Sequence, residues 1–260
     1  MTGSDVEVAI AAASAGAEVI RARYGQPVAR YAKEGLDFAT EADLEAERAI
    51  LDVIRAARPG DAFMGEEAGL LGDPTADRTW LVDPLCGTLN FAAGTPLVAV
   101  NVALREVGRT VAAAVVDPIA VELFWTDGAR ARLGDQPLSP SAVSRLVDLD
   151  LHGYAAWVGR VVASPAFARH FGHRATSTSL ALTWVATGRR AAYIWPGDLR
   201  NNVHFAAGLA LCVASGCVVT GLQGEPVDSG PVGLVAAADR ETHDLLLAIV
   251  ASVGGGEPVG

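Results

Sequence analysis

Two acidic turns could place carboxylates and backbone N–H groups around one small volume. The first, Gly65-Glu66-Glu67, follows the short apolar run 62–64. In the second, Asp83-Pro84 ends a predicted buried strand over 80–82 and precedes Gly87-Thr88. Carboxylate oxygens suit Mg²⁺ and free backbone N–H groups attract anions, so such turns could bind a metal and a phosphate together. Taken alone, however, Asp-Pro is an ordinary turn at a strand end, and the acids are equally explained as surface carboxylates.

Helix signals surround these turns. Ser4 and Glu7 form a capping-box pattern, which predicts a helix that runs to Tyr24 and ends at Gly25. Thr40-x-x-Asp43 is a second capping pair, and apolar residues then recur at helical spacing until Arg58-Pro59-Gly60. The two acidic turns are therefore preceded by two helices in the predicted order.

The remainder of the sequence predicts both strands and helices, as in an α/β fold. Strands are predicted over residues 97–107, 109–116, 121–126, 146–151, 157–163, 191–195, 218–220 and 234–237. Further helices are predicted over residues 177–187, 203–215 and 240–253. The stretch 137–144 is the predicted boundary between two domains. Residues 1–138 would form an N-terminal α+β lobe with the metal and phosphate motifs, and residues 139–260 a C-terminal α/β lobe that closes the cleft.

Composition limits the classes of function. A hydrophobic content of 51% in 260 residues argues against disorder, and a net charge of −10 without a basic stretch argues against nucleic acid as a partner. Three cysteines without framework spacing indicate a reducing compartment. The first residues lack the basic region of a signal peptide, and no apolar run reaches about 18 residues. We therefore expect a cytoplasmic protein with no membrane or nucleic-acid partner.

The ordered motifs resemble the inositol monophosphatase family. They are Asp37-Phe38-Ala39-Thr40-Glu41-Ala42-Asp43, Gly65-Glu66-Glu67, Asp83-Pro84-Leu85 followed by Gly87-Thr88 and Asn90-Phe91, and Ala206-Ala207-Gly208. The resemblance covers nearly the whole chain. It implies a layered α-β-α-β-α sandwich, a magnesium-dependent phosphatase activity on a small phosphorylated or polyol-like metabolite, and a homodimer.

The resemblance also assigns roles in metal binding and water activation. It makes Glu66, Asp83 and the backbone carbonyl of Leu85 the ligands of a first metal, an all-oxygen set suited to Mg²⁺. Asp43 and Thr88 match residues that help to activate the attacking water. The capping role of Asp43 remains an alternative, and both roles can hold at once because a cap residue can face a cleft.

Substrate contacts are implied at two further places. Gly87 and Thr88 would offer backbone N–H groups to the phosphate. Asp198 lies beside the position of an acid that often contacts the polyol in the family, although Trp195-Pro196-Gly197-Asp198 is also explained as a simple turn.

Two residues depart from the family pattern. Cys86 and His204 stand where the family has aspartates that bind a second metal. Three explanations stay open: drift after loss of that metal, Cys/His chemistry in which a nearby His⁺ lowers the pKa of the Cys86 thiol, or an altered site that accepts Zn²⁺ together with Asp83 and Glu66. A protonated His204 could also act as a general acid. Because lost charge stabilisation typically costs several kcal/mol, ordinary inositol phosphatase activity is not expected.

The sequence thus predicts an atypical inositol-monophosphatase-like enzyme, a metal-assisted phosphatase with a one-metal or remodelled site. One alternative is a repurposed enzyme that uses Cys86 and His204 for elimination, cyclisation or hydrolysis, since one fold hosts many functions. The other is a non-catalytic binding homologue. The substitution Cys86→Ala should abolish activity in the first alternative and leave ligand binding unchanged in the second.

Overall fold

The chain folds into two compact units that interleave along the sequence. The computed structural model describes residues 3–33, 37–151, 153–199, 202–227 and 233–254. One unit comprises Met1–Pro137, Thr178–Leu180 and Val203–Leu211, and the other comprises Leu138–Ser177, Ala181–Asn202 and Cys212–Gly260. The predicted division into 1–138 and 139–260 has a single boundary and stays a prediction.

Helices occur throughout the described residues. They are α1 (Asp5–Arg23), α2 (Glu41–Ala57), α3 (Thr88–Ala92), α4 (Ala155–Ala163), α5 (Pro165–His170), α6 (Leu180–Ala186), α7 (Ala206–Ser215) and α8 (Arg240–Ser252). Both predicted capping boxes are present, at Ser4 with Glu7 and at Thr40 with Asp43. In the part of the chain that the structure describes, no helix has both the length and the apolar character that crossing a membrane requires.

The first unit is built on a long mixed sheet. Its strands are β3 (Ala62–Gly65), β4 (Gly69–Leu71), β5 (Arg78–Cys86), β6 (Ala99–Glu106), β7 (Arg109–Asp117), β8 (Glu122–Thr126), β9 (Ala131–Leu133) and β10 (Gln136–Pro137). They lie in the order β10-β9-β8-β7-β6-β5-β3-β4, and β3 runs parallel to β5 while the other neighbours are antiparallel. A short hairpin of β1 (Arg30–Ala32) and β2 (Phe38–Thr40) precedes α2.

Helices α1 and α2 share the core of this sheet. Ile20, Ile50, Trp80 and Val100 are all fully buried in one cluster. The two helices approach closely at Gly16, where an added Cβ would lie 2.7 Å from Cδ1 of Ile50. Dense packing of this kind anchors α2 and therefore the capping residues at its N-terminus.

The end of β5 differs from the predicted strand. We predict that Asp83-Pro84 stops the strand, but β5 continues to Cys86 and its register with β6 shifts between these residues. Asp83 pairs with Asn101 and Cys86 with Ala99, so β5 holds one extra residue in a bulge. Pro84 has no N–H to donate, and it is tolerated because it lies in the bulge rather than in the regular ladder. The bulge re-aims the side chains that the site uses.

The second unit contains a five-stranded sheet in its described residues. Its strands are β11 (Leu146–Leu149), β12 (Gly172–Ala175), β13 (Ala192–Trp195), β14 (Val218–Thr220) and β15 (Leu234–Ala237), in the order β12-β11-β13-β15-β14. Helices α4, α5 and α8 contribute Trp157, Phe167 and Leu246 to its core.

One strand prediction in this unit is wrong. Residues 157–163 belong to α4, not to a strand. Trp157, Val158 and Val161 are the buried residues of this helix, and their spacing is helical. The β-branched valines favour a strand only as a weak local preference, and packing of the apolar helix face overrides it.

Candidate functional site

Sheet pairing brings the two acidic turns together. Glu66 directly follows β3 and Asp83 lies near the end of β5, and because these strands are parallel their carboxyl ends meet at one edge. The Glu66 N–H donates to the Val82 carbonyl at 3.1 Å. Asp83 is fully buried, and the Glu66 side chain is 16% exposed. Burial and then the Asp83 carboxylate raise the pKa of Glu66 to about 8.

The donor set of the predicted first metal suits a hard cation. Glu66 and Asp83 supply carboxylates and Leu85 a carbonyl, so all three donors are oxygens. The raised pKa of Glu66 reflects its burial first and the repulsion by the Asp83 carboxylate second, and a divalent cation would relieve that repulsion. Asp83 is held in place because its Oδ1 accepts the Leu85 N–H at 3.1 Å. These residues fit Mg²⁺ in their chemistry.

Asp43 and Thr88, which are 45 residues apart, meet beside these carboxylates. Thr88 Oγ1 lies 3.1 Å from Oδ1 of Asp43 and 3.1 Å from the Leu85 carbonyl oxygen. The other Asp43 oxygen accepts the N–H and the hydroxyl of Thr40 at 2.8 and 2.6 Å. Both explanations of Asp43 are thus compatible, since one oxygen caps α2 and the other faces Thr88. Burial raises the pKa of Asp43 to about 6, against the hydrogen bonds from Thr40 and Thr88.

Gly87 forms the turn between the bulged strand and α3. Its φ of +99° is in the left-handed region, which only glycine adopts without strain. The carbonyl of Gly87 accepts the Phe91 N–H at 2.9 Å and starts the helix. The turn therefore holds the backbone of Gly87 and Thr88 in one position next to Cys86.

His204 and Cys86 both lie beside Asp83. Nδ1 of His204 is 2.7 Å from Oδ2 of Asp83 and 3.9 Å from Oε2 of Glu66, with 40% of the His204 side chain exposed. Burial alone would lower the pKa of His204, but the Asp83 carboxylate outweighs it and raises the pKa to about 12. A side-chain oxygen, sulfur and nitrogen of Asp83, Cys86 and His204 lie within 4.8 Å of one another. The structure thus brings the two unusual residues to one place.

The environment of Cys86 does not favour a thiolate. Burial and then the Asp83 carboxylate raise the pKa of its thiol to about 11, although a hydrogen bond with His204 opposes the shift. The hypothesis of a reactive thiolate requires a shift in the other direction.

Lys33 is a site residue that the sequence did not reveal. Its Nζ lies 3.0 Å from Oε1 of Glu66 and 2.6 Å from Oε1 of Glu67. A single lysine before the second helix carries no local signal for this contact. The ammonium nevertheless places a positive charge on the acidic turn.

Glu47 is a second residue that sequence reasoning missed. Its carboxylate accepts the N–H groups of Glu67 and Ala68 at 3.0 and 2.7 Å and so fixes the first acidic turn. Gly65 must lack a side chain here, because an added Cβ would lie 2.1 Å from Oε1 of Glu47. Helical spacing could have indicated Glu47, since it lies on the same face as Asp43 and the apolar Ile50.

Ser179 and Asn101 also contact the site. The Ser179 N–H donates to the sulfur of Cys86 at 3.1 Å, and the Ser179 hydroxyl donates to Oδ1 of Asn101 at 2.9 Å. Asn101 is fully buried and pairs with Asp83 in the sheet. No sequence motif predicts this link.

The structure leaves the role of Asp198 as a prediction. Asp198 is exposed and belongs to the second unit, in the segment after β13. An added Cβ on Gly197 would lie 2.3 Å from the Trp195 ring, so the indole packs on this turn. Packing against Trp195 is therefore enough to explain why residue 197 is a glycine.

Known proteins resemble this chain in both sequence and fold. A model of the inositol monophosphatase family matches residues 4–254. An inositol-1-monophosphatase of Caulobacter vibrioides is 34% identical over 83% of this chain and 88% of its own length. A protein of Pseudomonas aeruginosa called Nus factor SuhB is 34% identical over 74% of this chain and 75% of its own length. The extragenic suppressor protein suhB of Bartonella henselae has a similar solved structure, with a TM-score of 0.84, 26% identity and coverage of 94% of this chain and 97% of that one.

Proposed function

The chain belongs to the inositol monophosphatase family and has its layered α/β fold, and on this premise we propose that it is a metal-assisted phosphatase with a remodelled second-cation position. Its substrate would be a small phosphorylated, polyol-like metabolite. Phosphate esters of inositol are the first compounds to test, because relatives such as the Caulobacter vibrioides protein are named inositol-1-monophosphatase.

The contact between Thr88 and Asp43 carries this proposal. The single hydroxyl hydrogen of Thr88 can go to Oδ1 of Asp43 or to the Leu85 carbonyl, both 3.1 Å away. When it goes to Asp43, the Thr88 oxygen can accept a proton from a water molecule. The water proton then passes through Thr88 to a buried carboxylate, which is general base catalysis.

The first metal position lies next to this relay. Glu66, Asp83 and the Leu85 carbonyl would hold Mg²⁺, which when bound makes a water molecule more acidic and polarises a phosphate oxygen. The bond from the Leu85 N–H to Asp83 at 3.1 Å orients one ligand, and Glu47 fixes the turn that carries Glu66. The chain's own contribution is thus to hold the ligands rigidly.

The substrate side uses fewer side chains. The backbone N–H groups of Gly87 and Thr88 would bind phosphate oxygens, which the fixed left-handed turn at Gly87 supports. Asp198 stays a candidate for binding a hydroxyl group of the polyol. On the leaving-group side, Cys86 and His204 replace the family's carboxylates. The residues there do not fit a second Mg²⁺, because sulfur and imidazole are poor ligands for it.

Of the two alternatives, only the binding role has an observation in its favour. Several relatives, including those of Pseudomonas aeruginosa and Escherichia coli, are called Nus factor SuhB, so a binding role is a second candidate. Cys/His catalysis is opposed by the raised pKa of the Cys86 thiol. We also keep a homodimer and a cytoplasmic location as proposals, the first from the family and the second from the cysteine composition.

Magnesium binding tests the proposed function. Calorimetry of the purified protein should detect Mg²⁺ binding that is lost in Glu66→Gln, and the wild type should hydrolyse a phosphate ester only with Mg²⁺. Glu67→Gln is the matched control, because Glu67 shares the Lys33 contact with Glu66 but is not a predicted ligand. A protein that binds no Mg²⁺ at millimolar concentration would exclude this function and favour the binding role.

A further inference from the structure

We propose that Asp83, Cys86 and His204 bind a thiophilic divalent cation of the Zn²⁺ class, in the position where the family's second metal would lie. Cation binding by these residues is inferred from their geometry alone. The role of the cation in stabilising the leaving group rests on the proposed function. An oxygen of Asp83, the Cys86 sulfur and an imidazole nitrogen of His204 lie within 4.8 Å of one another. Three protein ligands of mixed N, O and S type with an open fourth position are the composition of catalytic zinc sites.

The two proposed cation positions differ in the chemical type of their donor atoms. Glu66, Asp83 and the Leu85 carbonyl offer oxygen only, whereas Cys86 and His204 add sulfur and nitrogen donors beside Asp83. Soft and borderline ligands select Zn²⁺, while Mg²⁺ requires oxygen. Asp83 would therefore bridge a hard site and a soft site. The substitution of both family aspartates changes the preferred cation instead of abolishing the position.

Neighbouring groups already hold two of the three ligands, Cys86 and Asp83, in place. The Ser179 N–H points at the Cys86 sulfur at 3.1 Å, and the Ser179 hydroxyl is anchored on buried Asn101 at 2.9 Å. Hydrogen bonds of this kind orient metal ligands and tune their donor strength. The Leu85 N–H donates to Oδ1 of Asp83. The other oxygen, Oδ2, lies 2.7 Å from Nδ1 of His204. A cation that binds both side chains would displace the hydrogen between Oδ2 and Nδ1, together with the proton of the Cys86 thiol, into solvent.

Cobalt and zinc titrations of the chelator-treated full chain test this assignment. Zn²⁺ should bind with one equivalent in the presence of excess Mg²⁺, and Co²⁺ should give a sulfur-to-cobalt charge-transfer band in the near ultraviolet. Cys86→Ser should lose the band and bind Zn²⁺ ~100-fold more weakly, since even residues that only orient metal ligands are worth 10–100-fold in affinity. His204→Ala should weaken Zn²⁺ binding to a similar extent.

Cys217→Ser is the matched control for nonspecific thiol binding. Cys217 is a partly buried cysteine of the second unit, outside the three proposed ligands. This variant should keep both the band and the affinity. A band that persists in Cys86→Ser, or Zn²⁺ that millimolar Mg²⁺ displaces, would overturn the assignment.

Two further variants separate this inference from the proposed function. Glu66→Gln should abolish magnesium-dependent hydrolysis but keep the cobalt band, because Glu66 belongs to the hard site. The double variant Cys86→Asp/His204→Asp should lose the cobalt band and bind a second equivalent of Mg²⁺. Zinc binding through Cys86 without any phosphatase activity would refute the proposed function alone, and magnesium-dependent activity without Cys86-dependent binding would refute the soft site alone.

Discussion

Nδ1 of His204 lies 2.7 Å from Oδ2 of Asp83, a carboxylate with no exposed surface, although the two residues are 121 positions apart. In the cation-free protein, His204 is therefore the partner that makes a buried charge tolerable. Removing one member of a buried ion pair costs far more than the pair itself contributes. Because the imidazole is 40% exposed, water screens part of this effect.

We expect His204→Ala to lower the free energy of unfolding by about 1–2 kcal/mol in the presence of a chelator, between the values for exposed and buried pairs. Urea unfolding at neutral pH measures it. In the double variant Asp83→Asn/His204→Ala much of the loss should be recovered, because the unpaired charge is gone. Additive losses in this double-mutant cycle would show that the two side chains are not coupled.

Protonation of Asp43 should cause the loss of activity on the acid side of the pH profile. Burial raises its pKa to about 6 from the usual 3.8, and only the carboxylate can accept the Thr88 proton. Activity should therefore fall as the pH drops through about 6. Asp43→Asn should lower kcat about 100-fold or more and remove this pH dependence, as expected for loss of a general base. A wild-type profile that stays flat below pH 6 would contradict the role of Asp43.

The raised pKa of Asp43 also determines whether the free energy of unfolding rises or falls with pH. A raised pKa in the folded state means that the stabilising contribution of Asp43 is complete below its unfolded pKa and is lost as the pH rises through about 6. At neutral pH the buried carboxylate thus costs stability. Asp43→Asn should unfold at an equal or higher urea concentration than the wild type at neutral pH, and a clear loss of stability would mean that its capping bonds dominate.

Glu47 should act through the first acidic turn. Glu47→Ala leaves the N–H groups of Glu67 and Ala68 without their acceptor, which should cost about 1–3 kcal/mol of unfolding free energy. The affinity for Mg²⁺ should fall ~10–100-fold, as for other groups that orient metal ligands. Glu47→Gln keeps one acceptor oxygen, so its unfolding free energy and its affinity for Mg²⁺ should both fall less than in Glu47→Ala. Unchanged calorimetric affinity in Glu47→Ala would show that the turn does not depend on this anchor.

The turn between β6 and β7 offers a stabilising substitution away from the site. Val107 and Gly108 both have positive φ, 47° and 80°, as in a type I′ hairpin turn. A β-branched residue is strained in this region, whereas Asn tolerates it. Val107→Asn should raise the free energy of unfolding by about 0.5–1 kcal/mol without a change in activity.

Val143→Asn is the control for this change. Val143 is 88% exposed, compared with 74% for Val107, but its φ is not positive. The same substitution there should give no gain in thermal or urea unfolding. Equal effects at both positions would mean that the gain comes from removing an exposed apolar side chain and not from relieving backbone strain.

Local sequence predicts much of the fold because its signals act over a few residues. The capping boxes at Ser4 and Thr40 begin α1 and α2 as expected. Alternating apolar residues mark β6, β7 and β8 close to their observed bounds. Local signals fail where packing decides: residues 157–163 form a helix, and β5 passes through Pro84 by a bulge.

The sequence by itself determined which chemical groups are available at the site and in which order they occur. Glu66 and Asp83 stand at two turns, Asp43 lies in the first turn of a helix, and Cys86 and His204 stand where the family resemblance predicts carboxylates, all of which follows from residue types and motifs.

Only the tertiary structure decided how these groups meet. The Lys33–Glu66 contact, the Glu47 anchor and the link from Ser179 to Cys86 join residues 33, 20 and 93 positions apart. No periodicity of 2 or 3.6 residues encodes such contacts, because they arise when the sheet and the helices packed on it bring distant segments to one edge. The proximity of Asp83, Cys86 and His204 follows from the same packing.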